Sequence, residues 1–254
     1  MRLENKNVII TGGAKGIGEE IVRTFVAEGA NVMIADMAEA EALALVEELN
    51  AKGTGSAAFV KADVTVPSDV RNAVETAVEL FGSLDVLVND AGTVELDTLL
   101  EDMPEEVWFK VLTVNLNGAF LFTKYALPHL RKSKGCIVSM SSTSGLVATY
   151  NDPAYCASKT GIIGLMRSIA CDYGKFGVRA NAVCPTICQT PMFEAYINSF
   201  SPEEQAEKMK RLGGPAGRAC TKSEVAQAVL FLASPEASYV NGTYVTVDGG
   251  YCIV

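Results

Sequence analysis

Short apolar runs alternate with longer helical stretches along almost the whole of this 254-residue chain. The runs are dense in Val, Ile and Ala and are bordered by turn residues, which is typical of strands buried on both faces. Sustained alternation of strand and helix predicts a parallel sheet covered by helices on both sides. The predicted strands are Asn7 to Thr11, Asn31 to Asp36, Ala57 to Lys61, Leu84 to Asn89, Gly135 to Ser141, Arg179 to Cys184 and Thr243 to Val247. The clearest predicted helices are Ala38 to Lys52 and Ser68 to Phe81.

The length and the apolar fraction of 49% suit one α/β domain as well as two smaller ones. No Pro- or Ser-rich linker divides residues 1–254. A net charge of -9 with scattered basic residues argues against nucleic acid and anionic membrane surfaces as partners. No apolar stretch approaches the ~20 residues of a membrane-spanning helix, and the N-terminus lacks a secretory signal pattern, so we expect a cytoplasmic location.

The cysteines and the histidine predict no metal site. The seven cysteines form no CxxC pair, and His129 is the only histidine, so the usual zinc ligand sets are missing. We expect reduced and mostly buried thiols. His129 lies near a basic helix end, where a solvated or capping role is the plainer interpretation.

The first predicted strand runs into TGGAKGIG at 11–18, where Gly12, Gly16 and Gly18 open a helix. Glycines let the backbone turn tightly and approach a pyrophosphate, whose charge is favoured at a helix N-terminus. A plain turn before a helix is the alternative. The position after a first strand, with Asp36 at the end of the second, favours a dinucleotide site.

Asp36 predicts NAD rather than NADP. A carboxylate there accepts hydrogen bonds from the adenosine ribose and repels a 2′-phosphate. Lys15 in the glycine turn argues mildly the other way, since it could meet a 2′-phosphate, but no arginine follows Asp36 to complete such a site. The alternative for Lys15 is an ordinary solvated lysine.

The stretch PAYCASKTG places Tyr155 and Lys159 four residues apart after Pro153, a residue suited to a helix start. On one helix face, the ammonium and a positively charged nicotinamide would both favour the phenolate, which makes Tyr155 a candidate general acid/base. An isolated pair of this kind is more often an ordinary amphipathic pair. Ser142 at the end of a predicted strand, together with the dinucleotide turn, favours the catalytic interpretation, because ligands bind at strand carboxyl ends.

The chain resembles the classical short-chain dehydrogenases/reductases over nearly its whole length. The order and spacing of several motifs carry the resemblance: TGGAKGIG at 11–18, Asp36, ADV at 62–64, NDAG at 89–92, Asn115 in VNLNG, Ser142 in SMSSTSG, YCASK at 155–159, NAVCPTICQTP at 181–191 and VDGG at 247–250. The resemblance implies a single Rossmann-type domain of about seven parallel strands, a Ser–Tyr–Lys–Asn active site and often a homotetramer.

The resemblance also assigns roles. Ser142 would bind the substrate oxygen, Tyr155 would exchange its proton, Lys159 would lower the tyrosine pKa and hold the nicotinamide ribose, and Asn115 would support a proton-relaying water. The expected cofactor residues are Gly12, Lys15, Gly16, Ile17, Gly18, Asp36, Asp63, Val64, Asn89, Tyr155, Lys159, Cys188 and Thr190. Asp63 and Val64 would hold the adenine, and the main chain of Asn89 would run along the adenosine; a helix cap is the alternative for Asp63.

Two positions depart from the family pattern. Asp90 replaces a usual asparagine. A carboxylate at that position either needs a hydrogen-bond donor beside it or has a raised pKa and becomes protonated. Thr186 replaces a usual glycine and restricts the backbone near the nicotinamide. Both departures affect how the nicotinamide would bind. The contacts concerned are those from the Cys188 N–H and the Thr190 hydroxyl to the carboxamide.

The segment 186–215 carries an apolar set at helical spacing and predicts a substrate lid; packing on the protein itself or on a neighbouring subunit is the alternative. The apolar set is Met192, Phe193, Tyr196, Ile197 and Phe200. A mainly apolar pocket is expected together with Val94, Thr143, Leu146 and Tyr150, and Lys208, Lys210 and Arg211 leave room for one acidic group.

We expect an NAD-dependent enzyme acting on a secondary alcohol or ketone, either cyclic and hydroxysteroid-like or a smaller alcohol or polyol. The alternative is a catalytically silent dinucleotide-binding regulatory or scaffold protein. The apolar C-terminus, with Tyr251, Ile253 and Val254, and the helices around Asn115 and Tyr155 are the expected subunit contacts of a homotetramer.

Overall fold

Seven parallel strands form the centre of the computed structural model, which describes residues 1–94, 98–190, 193–194, 197–198 and 200–253, without the side chain of Arg211. Within these residues the strand order is β3-β2-β1-β4-β5-β6-β7. The strands are β1 Asn7–Thr11, β2 Asn31–Asp36, β3 Ser56–Lys61, β4 Val86–Asn89, β5 Cys136–Met140, β6 Arg179–Pro185 and β7 Tyr244–Val247. All seven predicted strands are confirmed, with ends that differ by at most two residues.

Eight α-helices lie in the described ranges: α1 Gly16–Ala27, α2 Glu39–Asn50, α3 Pro67–Phe81, α4 Glu105–Leu112, α5 Gly118–Ser133, α6 Pro153–Tyr173, α7 Pro202–Leu212 and α8 Lys222–Ala233. The two predicted helices correspond to α2 and α3. Helix α3 begins at a proline and ends before Gly82, whose φ of 84° suits a glycine. A short π-helix, Thr113–Asn117, joins α4 to α5.

The two faces of the sheet have separate hydrophobic cores, because successive side chains of a strand point to opposite faces. Val8 and Ile10 belong to the core that includes Phe25 of α1 and Val225 of α8. Ile9, between them, packs in the core that contains residues of α3, α5 and α6. Helices therefore cover both faces, as in a doubly wound domain, and all strand carboxyl ends meet at one edge of the sheet.

The strand order reverses between β1 and β4. The chain goes from β1 outward to β2 and β3, then returns to β4 on the other side of β1. The final residues of the two strands, Thr11 and Asn89, are register partners. The Thr11 hydroxyl accepts hydrogen bonds from the N–H groups of Asp90 and Ala91, both at 3.1 Å. The crevice at such a reversal is where open α/β sheets bind ligands.

The expected lid segment is described in part. Met192 and Tyr196 lie outside the described residues, as does Val254. Helix α7 begins with a capping box formed by Ser201 and Glu204. The Thr186 hydroxyl donates to the carbonyl of Leu212 at the end of α7 (3.1 Å). This helix is thus tied to the residue that follows β6.

Two general features bear on function. Among the described residues, no helix combines the length and apolar character needed to cross a membrane. The same residues contain no group of three or more His, Cys, Asp and Glu side chains arranged to hold a metal ion. The described cysteines all carry free thiols.

Candidate active site

The glycine turn between β1 and α1 approaches neighbouring backbone too closely for side chains. A Cβ at Gly12, where φ is 69°, would lie 2.8 Å from the Cα of Ala91, and a Cβ at Gly18 would overlap the carbonyl oxygen of Gly12. Gly16 differs, because a Cβ there would meet no atom within 4 Å. The turn therefore leaves free space beside the first amides of α1, where a phosphate can bind.

Asp36 holds the backbone around this turn. One carboxylate oxygen accepts a hydrogen bond from the N–H of Ala14 (3.0 Å), and the other accepts one from Ala38 (2.9 Å). The exposed Lys15 forms an ion pair with Glu41 at 2.7 Å, and this hydrogen-bonded partner raises the pKa of the lysine. The surface next to Asp36 thus carries a second carboxylate and a lysine that is already paired.

The expected adenine residues lie at the ends of β3 and β4. Asp63 accepts hydrogen bonds from the N–H (2.8 Å) and hydroxyl (2.7 Å) of Thr65. It closes a local turn and does not cap α3, whose N-cap is Val66. The buried Asn89 side chain donates to Ser139 (3.0 Å) and Thr123 (3.3 Å), so its amide nitrogen is occupied by protein partners. These cofactor roles stay predictions.

Tyr155 and Lys159 lie on the first two turns of α6, which begins at Pro153. The Lys159 Nζ is 5.4 Å from the centroid of the Tyr155 ring and donates a hydrogen bond to the Met140 carbonyl at the end of β5 (2.9 Å). Only 4% of Lys159 is exposed, and burial lowers its pKa to about 8, against an opposing effect of Asp90. The predicted common face is thus observed.

Ser142 is brought to the same place from the end of β5. Its hydroxyl lies close enough to the Tyr155 phenol to lower the pKa of that phenol. It donates to the Pro185 carbonyl at 3.5 Å and accepts from the N–H of Ser144 at 3.1 Å, which caps a short 3₁₀ helix. Ser142 is itself buried. The β5 end and the first two turns of α6 therefore place a hydroxyl, a phenol and an amine together without any histidine.

Burial raises the pKa of Tyr155 to about 12, and Asp152 and Asp90 act in the same direction. The Ser142 hydroxyl lowers this pKa, but by less than burial raises it. We expected Lys159 and a positively charged nicotinamide together to favour the phenolate; in the protein alone, burial shifts the pKa in the opposite direction. Their effect favours the protonated phenol.

Asn115 lies in the π-helix and is fully committed to protein partners. Its Oδ1 accepts from the N–H of Thr93 (2.7 Å), and its Nδ2 donates to the Thr93 carbonyl (2.9 Å) and to the Ser158 hydroxyl (3.0 Å). Ser158 in turn donates to the Tyr155 carbonyl (2.8 Å). Asn115 thus joins the segment after β4 to α6, and π-helical turns are common at functional sites.

The sequence reasoning missed the supporting hydroxyl groups. Thr11 binds the amides after β4, Ser158 bonds both Asn115 and α6, and Ser141 donates to the carbonyl of Lys159 at 2.7 Å. Ser158 could have been identified from the sequence, because it is three residues after Tyr155 and therefore lies on the same helix face. Thr11 and Ser141 are strand-end residues whose partners become apparent only when the strands are assembled.

Cys188 and Thr190 lie at the base of the expected lid. Cys188 is buried and is the β-bridge partner of Cys220, and the Thr190 hydroxyl accepts from the N–H of Phe193 at 3.2 Å. Their proposed contacts with the nicotinamide stay predictions. Among the expected pocket residues, Thr143 is buried, Leu146 is half-buried and Tyr150 is exposed.

A glycine turn at the switch point of a doubly wound sheet, beside a Ser–Tyr–Lys–Asn group, defines the class of dinucleotide-binding oxidoreductases. A family model described as enoyl-(acyl carrier protein) reductase matches residues 12–252. The chain is 39% identical over 251 residues to meso-2,3-butanediol dehydrogenase of Serratia marcescens, covering 98% of this chain and 96% of that one.

Other relatives have similar names and coverage. The trans-4-hydroxycyclohexanecarboxylate dehydrogenase of Sinomonas cyclohexanicum is 37% identical over 254 residues, with 98% of this chain and 93% of the relative covered. The crystal structure of gox2181 superposes with a TM-score of 0.94 at 37% identity, covering 100% of this chain and 98% of that one. The chain belongs to the classical short-chain dehydrogenases/reductases, and it is an oxidoreductase of that family.

The raised pKa of Tyr155 leads to a direct prediction. Without added cofactor, the Tyr155 phenol should stay protonated up to pH 10, because its pKa is about 12. Phenolate absorbance is measured from pH 7 to 10 in the wild-type protein and in Tyr155→Phe, and the two titration curves should superimpose. A wild-type curve that gains one further phenolate within this range would contradict the prediction.

Proposed function

We propose that the protein is an NAD-dependent dehydrogenase/reductase that transfers a hydride between a secondary alcohol or ketone and the nicotinamide. The observation that carries the proposal is the meeting of the Ser142 hydroxyl, the Tyr155 phenol and the Lys159 ammonium at the carboxyl edge of the sheet. Relatives over nearly the whole chain are named as dehydrogenases of hydroxyl compounds. A nicotinamide cofactor follows from the family, and the choice of NAD is part of the proposal.

The roles of the catalytic residues follow from their surroundings. Ser142 donates a hydrogen bond to the substrate oxygen, and Tyr155 gives that oxygen a proton during reduction or takes one during alcohol oxidation. The bound nicotinamide supplies or accepts the hydride. Lys159 holds the ribose hydroxyls, and Asn115 keeps the segment after β4 against α6.

The shifted pKa values make the two directions differ in pH dependence. A phenol with a pKa of about 12 is a ready proton donor at neutral pH, which suits ketone reduction. Alcohol oxidation needs the phenolate, which the positive charges of Lys159 and of an oxidised nicotinamide stabilise. Oxidation should therefore accelerate as the pH rises above neutral.

The surface around Asp36 suits NAD. Its carboxylate accepts hydrogen bonds from the N–H groups of Ala14 and Ala38, which fix both charged oxygens beside the glycine turn, where the adenosine ribose is expected. Glu41 binds Lys15, the one basic group of the glycine turn. A 2′-phosphate would thus meet two carboxylates and a lysine that is already paired, which disfavours NADP.

The names of the relatives support a compact substrate. The two dehydrogenases reported above are named for a 2,3-diol and for a ring hydroxyl on a cyclohexanecarboxylate, which share a secondary hydroxyl. We propose a secondary alcohol or diol of this size ahead of a hydroxysteroid. A cytoplasmic location and a lid formed by 186–215 stay predictions.

Tyr155→Phe should lower kcat for alcohol oxidation by at least ~10²-fold, because it removes the group that accepts the proton. NADH binding should be retained, since the ring itself stays. Activity is read as NADH appearance at 340 nm with butane-2,3-diol, 4-hydroxycyclohexanecarboxylate, a hydroxysteroid and a sugar alcohol. The matched control is Tyr239→Phe, which removes a hydroxyl from a fully exposed tyrosine. NADH binding without turnover of any substrate in the wild type would favour the silent regulatory protein.

Asp36 should set the cofactor preference. The wild type should use NADH with a kcat/KM at least ~10-fold above that for NADPH, because like charges at the 2′ position repel. Asp36→Ser should shift this ratio toward NADPH, whereas Glu47→Gln, which removes an exposed charge farther along α2, should leave it unchanged. A wild-type protein that turned over faster with NADPH would refute the proposed preference.

We propose that four chains assemble through their exposed apolar faces. Phe109 of α4 and Phe120 of α5 are 62% and 46% exposed, and Ile253 near the C-terminus is also exposed. Light scattering at micromolar concentration should give about four times the chain mass of 26.9 kDa. Phe109→Glu combined with Phe120→Glu should reduce that mass. A wild-type mass equal to one chain would rule out the tetramer.

A further inference from the structure

Asp90 is a carboxylate at the centre of the site that the proposed chemistry does not use. It follows β4 directly, and its N–H is held by the Thr11 hydroxyl at 3.1 Å. Its Oδ2 is 2.6 Å from the position that a Cβ on Gly18 would occupy, and the nearby Gly18 N–H favours the ionised form of this carboxyl. The first turn of α1 therefore already faces a carboxyl group.

The same helix terminus faces the expected phosphate position. Helix α1 begins at Gly16, beside which a side chain would meet open space. A bound dinucleotide would bring the negative charges of its pyrophosphate to this turn. Two anions would then share one helix N-terminus, and the pyrophosphate would disfavour the ionised form of Asp90.

The other charged groups around Asp90 come from several elements. Lys159 of α6 favours the ionised carboxylate, whereas Asp36 at the end of β2 disfavours it. Tyr155 and Cys188 also experience the charge of Asp90. Burial is the largest influence and raises the pKa of Asp90 to about 7. Near neutral pH, even a modest added negative charge shifts the balance toward the protonated form.

We propose that dinucleotide binding protonates Asp90, so that this residue is a neutral carboxylic acid in the cofactor complex. The inference rests on the proposed function, because it requires a pyrophosphate at α1. The carbonyl oxygen of a neutral Asp90 can still face the Gly18 N–H as an acceptor, much as that of an asparagine would. Asp90 also loses the negative charge that raises the pKa of Tyr155. Asp90 then acts as a positioning residue: phosphate binding neutralises Asp90, and the loss of its charge lowers the pKa of the Tyr155 phenol.

Infrared difference spectroscopy on NADH binding tests this directly at pH 7.5. NADH perfused over the wild-type protein should produce the C=O stretch of one protonated carboxylic acid and remove one carboxylate band. The matched variant Asp90→Asn, which keeps the shape and loses the charge, should lack both changes. Its fold is checked by a cooperative thermal transition and by saturable NADH binding. A wild-type spectrum without the acid band, or an acid band that persists in Asp90→Asn, would overturn the proposal.

A calorimetric measurement needs no variant. At pH 7.0, a group with a pKa of about 7 is half ionised, so NADH binding should take up about half a proton per chain. The count comes from binding enthalpies in buffers of different ionisation enthalpy. Lys159, with a pKa of about 8, is about nine-tenths protonated at this pH and supplies at most ~0.1 proton. NADH binding with an uptake of ~0.1 proton or less would refute only the Asp90 inference, whereas no dinucleotide binding would refute the proposed function as well.

Discussion

The hydrogen bonds between the ends of β1 and β4 are the contact on which the rest of the site depends. The Thr11 hydroxyl accepts hydrogen bonds from the N–H groups of Asp90 and Ala91, which hold the ends of both strands together where the sheet order reverses. The glycine turn packs against Ala91 on one side of this contact. On the other side, Thr93 is bonded on both its N–H and its carbonyl to Asn115. A single crevice between two strands thus fixes the glycine turn and, through Asn115 and Ser158, α6 relative to each other.

Burial is the common cause of the unusual titration behaviour in this crevice. It raises the pKa of Tyr155 and Asp90 and lowers that of Lys159, because in every case the charged form is the one disfavoured. The protein therefore favours a neutral phenol and holds Lys159 and Asp90 near their titration points. Added charges would then decide which form is populated, because a negative phosphate favours the protonated groups, whereas an oxidised, positively charged nicotinamide favours the phenolate. Dinucleotide binding and proton transfer would thus be coupled electrostatically.

The sequence predicted the fold well because each strand is a local apolar run whose limits are marked by turn residues. Tyr155 and Lys159 could be placed together from helical spacing alone, and Gly12 and Gly18 from their position between strand and helix. The direction of the Tyr155 pKa could not be predicted, because the desolvation of a phenol depends on atoms from distant segments. For a related reason, the sequence could not decide whether Asp63 contacts the adenine or caps a helix. An aspartate suits both roles, and its turn with Thr65 depends on local backbone geometry that the residue type does not reveal.

The threonine at position 186, where the family usually has a glycine, has a structural role that depends on its hydrogen-bond partners in the folded chain. Restricted backbone freedom was the only consequence visible in the sequence. In the folded chain its N–H donates to the Val247 carbonyl (3.2 Å), and its hydroxyl donates to the Leu212 carbonyl at the C-terminus of α7. A glycine would retain the first bond and lose the second. The threonine therefore satisfies a helix-terminal carbonyl and fastens α7 to the edge of the sheet, so the position of α7 relative to the residues that follow β6 depends on one side chain.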